Sequence, residues 1–299
     1  MNGPFEGDEA PVEALINHSA MVVAGSELAR REEQYLSEWQ WIIPTGMLHF
    51  CLEDAEFMSL EESEAIQRER IQTEPQPALM LRNRDRGIPV IGLPAPATSH
   101  GLLEIMARRR TVRAAAAPSI GLSQLSDCLF AGMGITGHTS NCVGRLPLGM
   151  TPSGGARNPY EAYVFARRVT GLEPGIYHYS AADHDLGLVG GALPEFSGLL
   201  GGQDWADEMP CLVVLVADFR RTMWKYRDPN AYRVVLIEAG HIGPNIMLAA
   251  TRHGLSACPT AALAQGRIRH ALGLQHITEA PIYAMTLAVP GTEAAPALQ

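Results

Sequence analysis

A lysine and a tyrosine stand side by side in the stretch WKYRDPNAYR, residues 224–233, directly after one apolar run and directly before another. A lysine near its usual pKa of about 10.4 is a poor base at neutral pH. Partial burial or a nearby cation lowers that pKa, and a neighbouring tyrosine can donate or relay a proton. Lys225 and Tyr226 are therefore candidates for proton transfer. A solvated surface loop is the plain alternative.

A basic cluster, RRRTVR at residues 108–113, contrasts with the acidic balance of the chain. Arginine binds phosphate bidentately and cannot lose its charge, and a threonine hydroxyl between arginines adds a neutral donor. The cluster thus favours recognition of an anion. Cations placed at the end of a helix, where they interact favourably with its dipole, would explain the same pattern.

The turn-rich stretch PSGGARNP, residues 152–159, is the third candidate. Two glycines without Cβ atoms let backbone N–H groups approach a flat or anionic ligand closely. A plain connection needs the same residues, because glycine and proline are typical of turns. The stretch is neither a GxGxxG nor a Walker sequence, so a dinucleotide-binding fold and a P-loop are not indicated.

Apolar patterns predict the elements that position these residues. CLVVLVADF reads as a strand buried on both faces, and AYRVVLIEAGHIGPNIMLAATRHG as a long, largely buried helix bent at Pro244. Helices and strands alternate, which indicates a mixed α and β fold with helices flanking a sheet. Further strands are predicted in YVFARRV, GIYHYS and PIYAMTLAV, and further helices in SHGLLEIMARRR and SQLSDCLFAGMG.

The first 98 residues are organised differently. SELARREEQYLSEWQWII predicts a helix that runs into a strand, and Ser59 with Glu62 forms a capping-box pattern that starts a second helix near Leu60. Prolines and charges between residues 72 and 99 indicate a linker. We therefore expect a small α/β segment at 1–98, which binds peptide or supports a dimer, and a larger domain at 99–299.

Composition excludes several classes of function. A formal net charge of −9 argues against binding to nucleic acid, and 46% hydrophobic residues suffice for a large core. The acidic N-terminus and the lack of an apolar run of about 18 residues predict a cytoplasmic protein that does not engage a membrane. The five cysteines are scattered without a CxxC pair, which indicates reduced thiols and no metal site.

Taken together and in this order, RRRTVR, PSGGARNP with GLEPGIYHY, and the Lys-Tyr pair before YRVVLIEAGH resemble the SagB-type dehydrogenases of the FMN-dependent nitroreductase superfamily. The resemblance covers about residues 100–289. It implies an α+β, nitroreductase-like fold: a central, mostly antiparallel sheet flanked by helices, in a domain-entwined homodimer with FMN at the interface. It also implies oxidation of thiazoline or oxazoline rings to azoles in a precursor peptide. A cyclodehydratase complex is a further candidate partner.

The resemblance also implies roles for individual residues. Lys225 and Tyr226 handle the proton, with Lys225 as the base. The remaining assigned residues contact FMN: Arg109, Arg110, Thr111 and Arg113 at the phosphate and ribityl chain, Pro152, Ser153, Gly154 and Gly155 against the flavin, and Thr260 and Ala261 in a turn facing flavin N5. Alanines replace the usual glycines of that turn, and the C-terminal AVPGTEAAPALQ lacks the family's usual basic phosphate ligand.

Two other functions remain open. One is an NAD(P)H-dependent flavin reductase of nitro compounds, quinones or dehydroamino acids, which would leave the Lys-Tyr pair unexplained. The other is a non-catalytic partner that recruits a precursor peptide, which the altered turn and the missing C-terminal cation would favour.

Overall fold

A computed structural model of the 299-residue chain describes residue 16 and residues 21–51, 60–73, 101–141 and 144–291. Its strands are β1 (Ile120–Gly121), β2 (Ile135–Asn141), β3 (Gly144–Gly149), β4 (Tyr160–Ala166), β5 (Val169–Thr170), β6 (Gly175–Ser180), β7 (Asp185–Gly190), β8 (Cys211–Asp218), β9 (Ser256–Thr260) and β10 (Glu279–Ala288). Its helices are α1 (Glu27–Glu38), α2 (Ile43–Phe50), α3 (Leu60–Thr73), α4 (Gly101–Arg108), α5 (Leu122–Met133), α6 (Phe196–Leu199), α7 (Phe219–Met223), α8 (Asn230–Arg252) and α9 (Gln265–Leu272).

A six-stranded sheet with the order β7-β6-β4-β8-β10-β9 forms the centre of the fold. Every neighbouring pair in it is antiparallel. Two smaller sheets accompany it, the parallel pair β1-β5 and the antiparallel hairpin β2-β3. The predicted mixed fold with a mostly antiparallel central sheet is confirmed.

Strand β8 has a helical layer on each side, which explains its continuous apolar sequence. Successive side chains of a strand point to opposite faces. Accordingly Val213 and Leu215 join the core beneath α5 and α8, whereas Leu212 and Val214 join the core beneath α6 and α9. All four are fully buried. The prediction that this strand is buried on both faces is confirmed.

The N-terminal helices pack against the same core. Helix α1 begins where predicted, with the Ser26 hydroxyl accepting from the Ala29 N–H at 3.1 Å. The strand predicted after it is wrong, because the apolar residues form α2 instead, with a proline in its first turn where the missing N–H costs nothing. Between the two helices, Trp39 and Trp41 are 6% and 4% exposed and belong to the core cluster.

Helix α3 begins at Leu60 as predicted. Ser59 lies outside the described residues, and so does the proposed linker between residues 72 and 99 from residue 74 onward. Helices α4 and α5 also form where expected. The apolar side of α4 faces solvent, with Leu102, Leu103 and Met106 each at least 45% exposed.

Helix α8 differs from its prediction in one respect. It continues through Pro244, but it is only half buried. Its length and composition would suffice to cross a membrane, which alone is weak evidence because core helices pass the same test. Its buried side rests on α5 and the sheet, whereas Val234, Leu236 and Ile237 are 38%, 39% and 50% exposed. One apolar stripe of the central helix is therefore uncovered in the single chain.

Two leucines of α5 offer a test of this packing. Leu129 is 2% exposed and Leu122 is 38% exposed. Leu129→Ala should lower the free energy of unfolding by about 2–5 kcal/mol, because it removes buried surface and leaves a cavity. Leu122→Ala should cost less than about 1 kcal/mol. Urea unfolding measures both, and equal losses would contradict the assignment of the inner face of α5.

Candidate active site

The Lys-Tyr pair lies in a short loop between α7 and α8. The Asp218 side chain caps α7 by accepting from the Arg220 N–H at 3.1 Å. The backbone N–H groups of Lys225 and Tyr226 both donate to the Thr222 carbonyl, at 3.1 and 2.9 Å. The loop is therefore folded back on the end of α7. The strand, the short helix and the start of α8 together fix where the pair stands.

The predicted Ser-Gly-Gly stretch directly contacts this pair. Lys225 Nζ donates to the Gly155 carbonyl at 3.5 Å and lies 5.1 Å from the centroid of the Tyr226 ring. A Cβ atom on Gly155 would come within 2.4 Å of both Lys225 Nζ and the Tyr226 hydroxyl oxygen. Gly155 also has a φ of +64°, which favours glycine. Glycine is thus required here so that the turn can touch the Lys-Tyr pair.

A buried carboxyl group forms a hydrogen bond to the Ser-Gly-Gly turn. Glu238 of α8 is 5% exposed, and its Oε2 accepts from the Gly154 N–H at 3.3 Å. Burial raises the pKa of Glu238 to about 7, while hydrogen bonds from Ser153 and Gly154 oppose that rise. The Gly154 N–H is therefore engaged by the protein itself. The sequence signal for this residue is a lone acidic side chain on the buried stripe of an apolar helix.

Arg157 is a second site residue that sequence reasoning missed. Its Nε donates to the Gly155 carbonyl at 3.3 Å, so two cations converge on that oxygen. Its guanidinium lies 5.3 Å from the ring centroid of Trp224, which is 60% exposed. Pro152, at the start of the turn, is exposed. The sequence signal that could have identified Arg157 is its position inside the PSGGARNP stretch.

The arginine segment divides into two kinds of contact. Arg110 Nη1 donates to the carbonyls of Ala107 and Arg109, both at 2.8 Å, which caps the end of α4 as the simpler interpretation expected. The Arg113 guanidinium lies 5.7 Å from the Trp205 ring centroid. Within the described ranges, the side chains of Arg109 and Arg113 have no acidic partner. Thr111 lies between them in the sequence and is partly buried.

Thr260 ends strand β9, which the sequence did not reveal, and Ala261 begins the connection to α9. The Thr260 hydroxyl oxygen accepts from Gln203 Nε2 at 3.1 Å and from the Ala262 N–H at 3.0 Å. The expected turn around Pro259 is thus the end of a strand followed by a loop. Its physical cause is the pairing of β9 with β10 along the edge of the sheet.

The predicted residues form two groups in one chain. Lys225 and Tyr226 contact the 153–155 turn, but across the residues that the structure describes neither makes a hydrogen bond or ion pair to the 109–113 segment or to Thr260. A cavity of about 310 Å³ has Glu238 and Asn158 in its wall, but its lining contains neither Lys225 and Tyr226 nor residues 153–155. Its lining also contains Glu161, which pairs with Arg221 and lies 2.7 Å from His178 Nε2.

No group of His, Cys, Asp and Glu side chains suited to a metal ion occurs in the described part of the chain. Burial raises the pKa of Cys128 to about 12 and also raises the pKa values of Cys211 and Cys258. These three thiols are therefore protonated at neutral pH and packed as small apolar groups.

Residues 106–289, well over half of the chain, match the Nitroreductase family. The Methanocaldococcus jannaschii protein MJ1384, named as a nitroreductase, is 30% identical over 179 residues, which cover 58% of this chain and 85% of that protein. The trifolitoxin-processing protein TfxB of Rhizobium leguminosarum biovar trifolii is 32% identical over 143 residues, or 46% of this chain. This chain spans only 38% of the length of TfxB.

Two solved structures are similar in fold. A Ralstonia eutropha protein named as a nitroreductase has a TM-score of 0.53 at 22% identity, covering 68% of this chain and 89% of its own. A chain of the Escherichia coli microcin synthetase McbBCD complex, solved with truncated pro-MccB17 bound, has a TM-score of 0.52 at 16% identity. The latter match covers 92% of this chain and 96% of that chain.

The carboxyl group of Glu238 predicts a pH dependence of stability. Its folded pKa of about 7 lies above the ordinary value of 4.5, so the folded state binds more protons between those two values. Its contribution to the free energy of unfolding is therefore largest at and below pH 4.5 and falls as the pH rises to 7, by at most about 3 kcal/mol.

Glu238→Gln cannot ionise and should lose this decline. Relative to the wild type, the variant should gain stability as the pH is raised from about 4.5 to 7, as measured by urea unfolding at a series of pH values. Parallel stability curves for the two proteins over this range would contradict a raised pKa.

Proposed function

Because this chain belongs to the nitroreductase family, we propose that it is an FMN-dependent dehydrogenase that oxidises azoline rings, thiazoline or oxazoline, to azoles in a ribosomally made peptide. The family is one of oxidoreductases that generally bind flavin. The proposed activity rests chiefly on one observation, the placement of Lys225 beside Tyr226 and Gly155.

Lys225 is the only lysine among the 23 basic residues of the sequence, and the other 22 are arginines. An arginine side chain stays protonated in proteins, whereas a lysine can give up its proton and act as a base. The one lysine lies at the mouth of the turn, 5.1 Å from a tyrosine ring. A role for its charge alone would be served by arginine, so this choice supports proton transfer.

The residues fit FMN in two complementary ways. The 153–155 turn places two glycines beside the Lys-Tyr pair, and backbone without Cβ atoms lets a flat ligand approach closely. Arg109 and Arg113, which lack acidic partners in the described residues, fit a phosphate. When bound, FMN would supply the hydride acceptor. Within the described residues the two groups share no hydrogen bond or ion pair, which fits a site that each of two copies completes for the other.

The exposed apolar stripe of α8 supports such a homodimer. Val234, Leu236 and Ile237 form the stripe, and the neighbouring helix α4 exposes Leu102 and Leu103. Apolar surface of this kind is stabilised when a second copy covers it. Val234 also lies directly over Gly154, where a Cβ atom would be 2.6 Å away. A partner seated on the stripe would therefore adjoin the turn.

Aromatisation of an azoline removes one proton and one hydride from neighbouring ring carbons. In the proposed reaction Lys225 takes the proton from the ring carbon, and Tyr226 holds the lysine in place and donates to the substrate. Arg157 and the Gly155 carbonyl keep the turn fixed around Lys225.

The relatives support a peptide substrate. TfxB is named for processing trifolitoxin, and the McbBCD structure contains a truncated pro-peptide. By analogy we propose a precursor peptide as substrate, a cyclodehydratase as a working partner, and a cytoplasmic site of action. A flavin reductase of nitro compounds is the second candidate, favoured by the name of MJ1384.

Replacing Lys225 tests the proposed reaction. Lys225→Ala and Lys225→Arg should retain bound FMN but lose azole formation by about 10²- to 10⁴-fold, the usual contribution of a general base. Arg227→Ala, which removes a cation from the same loop, should remain close to wild type. The assay is mass spectrometry of a cyclised precursor peptide, in which each oxidised ring loses two hydrogens, about 2 Da.

The outcomes separate the candidate functions. Full activity of both lysine variants would refute the role of Lys225. Rapid NADPH oxidation with quinones, without azole formation by the wild type, would favour the reductase. A protein that binds the leader peptide tightly but takes up no FMN would favour the non-catalytic partner.

The exposed stripe gives a test of the homodimer. Ile237→Asp places a charge in the middle of the proposed interface and should yield a monomer that no longer retains FMN. Val189→Asp is a matched control, because Val189 is 53% exposed on strand β7. Light scattering coupled to gel filtration measures the mass of each. A dimer of unchanged affinity in Ile237→Asp would exclude this face.

A further inference from the structure

A hydrogen bond ties the N-terminal segment to the backbone of the Lys-Tyr pair. The indole Nε1–H of Trp41 donates to the carbonyl oxygen of Tyr226 at 3.0 Å, across 185 residues of sequence. Trp41 is 4% exposed, so this bond is shielded from water. Among the described residues, Trp41 supplies the single hydrogen bond to that carbonyl. The backbone N–H groups of Lys225 and Tyr226 donate instead to the Thr222 carbonyl.

The Trp41 ring contacts one residue before the loop and one residue after it. Its ring packs edge-on against Phe219, with centroids 5.8 Å apart, and against Tyr232, with centroids 5.9 Å apart. Phe219 begins the helix before the loop, and Tyr232 lies in the first turn of the helix after it. The three rings therefore pack the start of α7 against the start of α8.

A second contact from the same segment reinforces this packing. His49 of α2 is 2% exposed, and its Nδ1 lies 3.1 Å from the Tyr232 hydroxyl. Its ring also stacks on Trp39 and meets Phe219 edge-on, with centroids 5.6 and 5.1 Å apart. A buried cluster of this kind is rigid because its rings interlock at close-packed density.

We propose that Trp41 and His49 form a clamp that positions the Lys225–Tyr226 loop against Gly155, and that Trp41 is its positioning residue. The clamp fixes the Tyr226 carbonyl from the side of the loop that is buried. The opposite side is then free to present Lys225 Nζ to the turn. The catalytic consequence of this clamp rests on the proposed function, whereas its effect on the loop does not.

Two tryptophans of the same cluster provide a matched comparison. Trp41→Phe keeps an aromatic ring but removes the donor to Tyr226. Trp39→Phe makes the same chemical change at a residue that is 6% exposed and whose Nε1 has no hydrogen-bond partner among the described residues. Trp41→Phe should lower kcat for azole formation about five- to tenfold with little change in KM for the peptide, as expected for one lost hydrogen bond. Trp39→Phe should leave kcat near wild type.

Hydrogen exchange of the loop is the readout that does not depend on the reaction. In Trp41→Phe the amides of residues 224–230 should exchange about fivefold faster than in Trp39→Phe, with the rest of α8 unchanged. A wild type that forms no azole would remove the proposed function, yet the exchange data would still decide the clamp. Equal exchange in the two variants would overturn it.

A measurement on the wild type covers the case in which Trp41→Phe does not fold. With ¹⁵N-labelled tryptophan, the Trp41 indole proton should exchange with solvent far more slowly than that of Trp224, which is 60% exposed. Comparable exchange rates for the two protons would overturn the clamp.

Discussion

The close packing of α8 on the sheet is the constraint on which the rest of the molecule depends. At Gly243 a Cβ atom would lie 2.5 Å from the Tyr283 ring, so the helix can approach strand β10 this closely only because the side chain is absent. The same helix carries Glu238 to the Ser-Gly-Gly turn and begins directly after the Lys-Tyr loop. The distance between α8 and the sheet therefore determines where Glu238 and the Lys-Tyr loop lie.

Much of this arrangement follows from local sequence, for physical reasons that can be stated. Strand β8 was predictable because a strand covered on both faces must be continuously apolar, and α5 because its leucines recur with the helical period. The motif order indicated the nitroreductase superfamily, and the family match confirms it. The direct contact of Gly155 with Lys225 was not predicted, because the resemblance related both only to the flavin.

Other features depend on contacts that no local pattern reveals. The apolar residues after Trp41 suit a strand or a helix equally, and it is His49 of α2 that packs beside Phe219 and Tyr232, a contact that the local pattern does not show. Glu238 reads as an ordinary helix residue until the turn above it supplies its hydrogen-bond donors. The exposed side of α8 could not be predicted either, because an apolar helix has the same composition whether its cover comes from its own chain or from another copy.

The bond between Trp41 and Tyr226 has a consequence for the order in which the molecule folds. Contacts distant in sequence form late, since the entropy of closing the intervening loop must be lost before they contribute. A loop of 185 residues separates the two partners. Strands β4, β6, β7 and β8 of the central sheet lie within that loop, whereas α8, β9 and β10 follow it, and all of them can form from contacts nearer in sequence. On this argument we expect the aromatic cluster to join the beginning of the chain to a core that has already formed, so that the loop carrying the chain's single amine side chain becomes ordered late.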